Sequence, residues 1–185
     1  ISYSDPVTGD MKFIISSRVG FNRTFNDFPN DTFVRSCPDI YSYHIIPFGN
    51  NPNKFYVVQF QDASADILAQ ESGLQVVCPN AIGLGYSIVD LNLNNGLGDF
   101  HIMNQVVGQG YSGQITTVKH ANGKDVWVIV HPHNTAQYQS FLFTGNGVQP
   151  AVVSNIGAYI GGGFASVFGA LTASHDGKLL AGFTS

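Results

Sequence analysis

The chain has 185 residues, enough for one domain with a buried core of its own. Eight basic and twelve acidic residues leave a net charge of −4, and charged residues make up 11% of the chain against about 25% in an average globular domain. That balance excludes a phosphate-neutralising surface, because nucleic-acid binders cluster Lys and Arg. No apolar run of about 18 residues is present to form a membrane-spanning helix.

Helical periodicity is nearly absent. Only Ser64–Ser72 (SADILAQES) is spaced for a helical turn or two. Elsewhere short runs rich in Val, Ile, Phe and Tyr are bounded by Gly, Asn, Asp and Pro, which is the punctuation of strands and hairpins. In chain order, Val7–Asp10 reads as a turn and Met11–Ser16 as a strand. The segment 36–107 then holds four strands, Tyr43–Phe48, Lys54–Phe60, Gly83–Leu91 and Asp99–Val107, with Gln61–Ile82 inserted after the second.

The segment 114–156 is the clearest. Ile115–His120 is a strand, Asn122-Gly123 supplies the two positive-φ positions of a tight hairpin, and Asp125–His131 is the return strand. Gln137–Thr144 follows, then the turn Gly145-Asn146-Gly147, then Val148–Ile156, which Pro150 places at a sheet edge. The pattern starts again at Gly169–Ser174. There Asp176-Gly177-Lys178 matches Asn122-Gly123-Lys124, 54 residues on, and Leu179–Phe183 matches Val126–Val130.

Four consecutive antiparallel strands, recurring, predict an all-β fold: a fragment of a β-propeller with two complete four-stranded blades, 36–107 and 114–156, and partial blades at both ends of a single domain, 1–185. Each such sheet must stack on its neighbours to bury its apolar face. A β-sandwich is the alternative. The β pattern at Ile1 and at Ser185 reads as a cut through a longer protein, with any signal peptide upstream. Cys37 and Cys78 are either two buried thiols or one disulfide, and the spacing does not decide between them.

Three segments resemble the N-terminal, WD-repeat-like propeller region of large secreted Bacteroidetes proteins that carry gliding-motility-associated or type IX secretion sorting domains at their C-termini. They are Asp5–Gly9 (DPVTG), Tyr86–Gly98 (YSIVDLNLNNGLG) and Val118–His131 (VKHANGKDVWVIVH), with Lys119–Trp127 the most specific. The resemblance implies a propeller and an extracellular or outer-surface location. It implies no catalytic residues. In WD-repeat-like propellers, histidines placed like His120 and His175 bond within a blade.

Candidate sites are few. His131 and His133, two apart on a strand, share a face and can converge on one metal ion, with His101 or Asp99 as a third ligand; the plainer reading is a strand end broken by Pro132. Asp90, Asn92, Asn94, Asn95 and Asp99 make an oxygen-rich loop of calcium-binding composition, or an ordinary polar turn. Asp125 and Asp176 are expected to accept turn amides. By strand alternation Trp127 and Ile129 face one side of their sheet and Val126, Val128 and Val130 the other, so Trp127 is expected to pack between blades. The tract Gly161-Gly162-Gly163 lacks the Lys-Ser/Thr of a phosphate loop, and no Gly-x-Ser-x-Gly elbow occurs. Asn22-Arg23-Thr24 and Asn30-Asp31-Thr32 fit the glycan-acceptor pattern.

The expected function is therefore non-catalytic, with no cofactor: a module for adhesion, recognition or scaffolding. Its partners would be glycans, protein surfaces or other domains of the same long chain. A glycosidase or lyase using His101, Asp99, His131 and His133 is the catalytic alternative, and a structural spacer the third.

Overall fold

The computed structural model describes residues 1–16, 19–30, 43–62, 82–161 and 169–184. Cys37, Cys78 and the segment 64–72 lie outside them. The described residues form antiparallel sheets in an all-β arrangement, and no closed ring is formed. The first sheet is β1 (Ser2–Ser4), β2 (Met11–Ser16) and β3 (Val19–Asn22), in that order. The large sheet runs from β4 (Tyr43–Phe48) through β5 (Asn51–Asp62), β6 (Ile82–Asp90), β7 (Asp99–Lys119) and β8 (Val126–Pro132) to β9 (Tyr138–Thr144). The far edge of β9 takes β10 (Gly147–Val148) and β11 (Val152–Ser154), and β12 (Gly169–Ala173) pairs with β13 (Leu180–Thr184).

The run KFYVVQF in β5 explains the layering. Its residues from Phe55 to Phe60 are all buried, so the strand needs a layer on each side. On one side Phe55 and Val57, with Val89 and Phe100, pack against Phe13, Ile15 and Phe28 of the first sheet region. The Phe28 and Phe100 rings meet edge to face at 5.3 Å. On the other side Tyr56, Val58 and Phe60, with Ile46, Leu84 and Ile88, pack against Val126, Val128, Val130, Phe141 and Phe143. Tyr56 is central there: its ring touches Phe48, Tyr86 and Phe143, and its hydroxyl donates to the Thr144 carbonyl at 2.7 Å.

The two expected four-strand units meet inside one strand. The sequence places a break between Val107 and Ile115, yet β7 runs unbroken for 21 residues. Its first part pairs with β6 and its last part with β8, and Tyr111 is opposite both Ile82 and Pro132. Asn104 (φ 54°) and Gly110 (φ 80°) are left-handed, and the register shifts beside them, so the strand bends as it passes from one layer to the next. Pro150 acts as expected: the fourth strand of 114–156 is interrupted at 149–151, which splits it into β10 and β11 on an edge. The strands β1 and β3 had no clear sequence signal.

Candidate functional site

The hairpin turns recur as structures. In the β7–β8 turn, His120 N–H donates to the Asp125 carbonyl at 2.9 Å, and Gly123 N–H to the His120 carbonyl at 2.9 Å. In the β12–β13 turn, Ser174 N–H donates to Leu179 and Gly177 N–H to Ser174, both at 2.9 Å. Gly123 and Gly177 have φ of 72° and 69°. The equivalence corrects one expectation: Ser174, not His175, holds the place of His120. It corrects a second as well. The residue that accepts the turn amides is Asn122, whose Oδ1 takes Lys124 N–H and Asp125 N–H, while Asp125 accepts from Asn122 Nδ2 at 2.7 Å. Asp176 is the true counterpart of Asn122 and accepts Lys178 N–H and the Ser174 hydroxyl, which together hold its carboxyl below the usual range.

The β12–β13 turn borders a cleft of about 580 Å³, where it meets Ile45–Pro47 of β4 and Thr117–Lys119 of β7. Its polar groups are Thr117, Lys119, Ser174, His175 and Asp176. Of these strands β12 packs against β7, while β4 belongs to the far edge of the same large sheet as β7.

On the outer face of β7–β9 lies a shallower groove of about 350 Å³. Val118, Trp127, Ile129, Ser140 and Val152 form one wall, and Gly177, Lys178 and Leu180 the other. The alternation read from the sequence holds: Val126, Val128 and Val130 are in the core, and Trp127 and Ile129 are half-buried on the opposite face. Gln114, buried on β7, ties the last hairpin to this face by donating from Nε2 to the Phe183 carbonyl at 2.8 Å.

The residues considered as ligands are engaged elsewhere. His131 is fully buried, with Nδ1 2.8 Å from the Pro132 carbonyl and Nε2 3.2 Å from the Ala158 carbonyl, and it meets the Tyr138 ring edge to face. His133 lies beyond the end of β8, its N–H bonded to the Gly110 carbonyl. Asp99 and His101 start β7, whereas His131 and His133 lie near Tyr111, ten residues along the strand from His101. Among the described residues no three His, Cys, Asp or Glu side chains form a metal-holding group.

Asp90 and Asp99 are cross-strand partners at the β6–β7 hairpin. Asp99 accepts Phe100 N–H and both the N–H and side-chain amide of Asn30. Asp90 is paired with Lys54 at 3.2 Å and accepts Asn92 N–H at 2.9 Å. Burial pushes the Asp90 carboxyl up, but these donors outweigh it and hold it below the usual carboxylate range. The string of Asn between them serves the backbone. Asn94, Asn95 and Gly96 are consecutive left-handed residues (φ 50°, 54° and 81°), a conformation open to Asn and Gly. The Gly96 carbonyl accepts from Arg23 at 2.7 Å. Asn22, the first glycan-acceptor position, is buried with Oδ1 accepting from Thr24 and Asn26.

Sequence reasoning missed Gln61. It follows the Phe55, Val57, Gln59 face of β5, is fully buried, and neither amide atom has a hydrogen-bond partner among the described residues. Gly85, diagonally across on β6 and opposite Gln59, makes room for it, since a Cβ there would run into the Gln61 amide. A Gln in an apolar run carries no sequence signal of burial. Comparison with protein-family models, with curated proteins and with solved structures returns no match for this chain.

Proposed function

We propose that this chain is a non-catalytic recognition or scaffold module, a β-propeller fragment from a secreted or cell-surface bacterial protein of the kind its motifs resemble. The observation that carries the reading is the recurrence, 54 residues apart, of one hairpin turn with the same two hydrogen bonds. The cleft where residues of β4, β7 and the β12–β13 turn meet supports it further, since propellers bind through polar loops at the rim of the channel. The cleft offers hydroxyls, an ammonium, an imidazole and main chain, a set suited to hydrogen-bonding a glycan or a polar protein loop. None of His101, Asp99, His131 and His133 lines it.

A sandwich is favoured by one feature, the unbroken passage of β7 between two layers. Function is tested by a glycan array and a pull-down from envelope extracts with the folded chain. Binding that is lost in Thr117→Ala and Ser174→Ala variants and kept in Asn146→Ala supports the cleft. Binding insensitive to all three moves the site elsewhere. Failure to bind any glycan or protein leaves scaffolding as the reading.

A further inference from the structure

The polar side chains of the cleft between β4, β7 and the β12–β13 turn divide by what already holds them. The Ser174 hydroxyl donates to Asp176 Oδ1 at 2.6 Å and accepts Leu179 N–H at 3.0 Å, so it serves the turn. Asp176, the one acid lining the cleft, also accepts Lys178 N–H and is paired with the Lys178 ammonium at 3.6 Å. The Thr117 hydroxyl, the Lys119 ammonium and the His175 ring have no hydrogen bond or ion pair among the described residues. Thr117 and Lys119 stand opposite Val128 and Val126 of β8, at alternate positions of β7, so both side chains lie on one face. Ile45 and Pro47 beside them supply apolar surface. Each of the three open groups can donate a hydrogen bond, and Lys119 carries a positive charge. The acceptors of the cleft are thus committed to its own turn, and its donors face outward.

We propose that the cleft takes a uronic-acid residue of an acidic glycan. The sugar carboxylate is received by the Lys119 ammonium and the Thr117 hydroxyl, a charge-assisted contact. The carbon–hydrogen face of the ring rests on Ile45 and Pro47, and a ring hydroxyl accepts from His175. The inference rests on the reading of this cleft as the binding site and names the ligand class for it. A single ammonium beside an apolar wall matches one carboxylate on a rigid ring. An acidic peptide fits less well, because its backbone N–H groups ask for acceptors that Ser174 and Asp176 have given to the turn.

The probes are a galacturonic-acid trimer, its methyl ester and a short polyglutamate, each titrated calorimetrically into the whole chain. The ester keeps the rings and hydroxyls and removes the charge. The acid should bind, and the ester should bind about tenfold more weakly or worse, the loss expected for one charge-assisted hydrogen bond. Lys119→Gln should lower the affinity for the acid by about the same factor and leave that for the ester unchanged. Lys124→Gln, at the β7–β8 turn outside the cleft, should change neither. Equal binding of acid and ester, lost in Thr117→Ala, overturns the carboxylate and leaves the cleft as a site for neutral sugars. Binding of the acid that Lys119→Gln does not weaken overturns the placement at Lys119. Polyglutamate bound as tightly as the trimer overturns the sugar and makes the cleft a reader of acidic peptides. No binding of any of the three overturns the inference, and a neutral glycan or protein that still binds through Thr117 would then keep the cleft as the recognition site.

Discussion

Gly49 and Gly145, in the β4–β5 and β9–β10 turns, press their backbones together, and the contact is asymmetric. A Cβ on Gly49 would stand 2.8 Å from the Gly145 Cα, whereas a Cβ on Gly145 would stand at an ordinary 3.5 Å from the Gly49 Cα. Gly49 is also left-handed, at φ 57°. Gly49→Ala should therefore destabilise by more than the roughly 1–2 kcal/mol of a left-handed alanine alone, because the backbone of the facing turn must also move. Gly145→Ala should change stability by less than about 0.5 kcal/mol. Urea unfolding of the two variants measures the difference. Equal effects would mean that the two turns do not touch as described.

That contact was beyond the reach of the sequence, and the reason is general to this chain. Strand positions were legible because they depend on local alternation and on Gly, Asn and Pro: Met11–Ser16 and Tyr43–Phe48 fall where the pattern puts them. The inward set Val126, Val128 and Val130 was legible for the same reason. The run through β7 was not. Gly108 and Gly110 look like a break, but Gly110 supplies a left-handed bend, and a Cβ on Gly108 would run into the Tyr111 hydroxyl. At the candidate sites, composition left the 90–99 loop open between an ion site and a polar turn; its carboxylates accept from Lys54, Asn30 and nearby N–H groups. Which donor reaches which oxygen is a long-range fact, as with Asn30 and Asp99, 69 residues apart.

Acid should weaken the fold in two stages. Burial holds the His44 imidazole below its ordinary 6.5, so between that value and its folded value the unfolded chain binds more protons. Its contribution is intact above 6.5 and falls as pH drops through that window. The Asp90 carboxyl lies below its ordinary 3.8, so its contribution is intact above 3.8 and is lost as pH falls through the folded value. Urea midpoints across pH should show both limbs. His44→Gln should flatten the upper one and Asp90→Asn the lower; an upper limb that survives His44→Gln assigns it to another group.

One difference between the two equivalent turns, Asn122 against Asp176, has an electrostatic reason. Asn122 donates to the Asp125 carboxylate, while the position after Lys178 is Leu179, so Asp176 has no acid to avoid. Asn122→Asp replaces that donor with a second carboxylate and should cost about 1 kcal/mol, the worth of one hydrogen bond, plus like-charge repulsion. Asp176→Asn keeps its turn acceptor and should be close to neutral. High salt should relieve part of the Asn122→Asp loss, because the pair is exposed. A loss in Asp176→Asn as large as that in Asn122→Asp would break the equivalence.

His131 should behave as a tether. Both of its ring nitrogens stand against carbonyls, Nδ1 against that of Pro132 and Nε2 against that of Ala158. Through Ala158 it holds the segment 155–161 against the end of β8, next to the Asn134 and Thr135 bonds to Ile160. His131→Leu keeps apolar volume and removes that bond, so amide exchange at Ile160 should speed up while the global midpoint shifts by about 1 kcal/mol or less. His131→Ala should add a cavity penalty of about 2 kcal/mol or more. Zinc should leave the melting temperature of the unaltered chain unmoved, because a metal would have to displace a carbonyl already in contact. A zinc-dependent rise that His131→Leu abolishes would return His131 to the role of ligand.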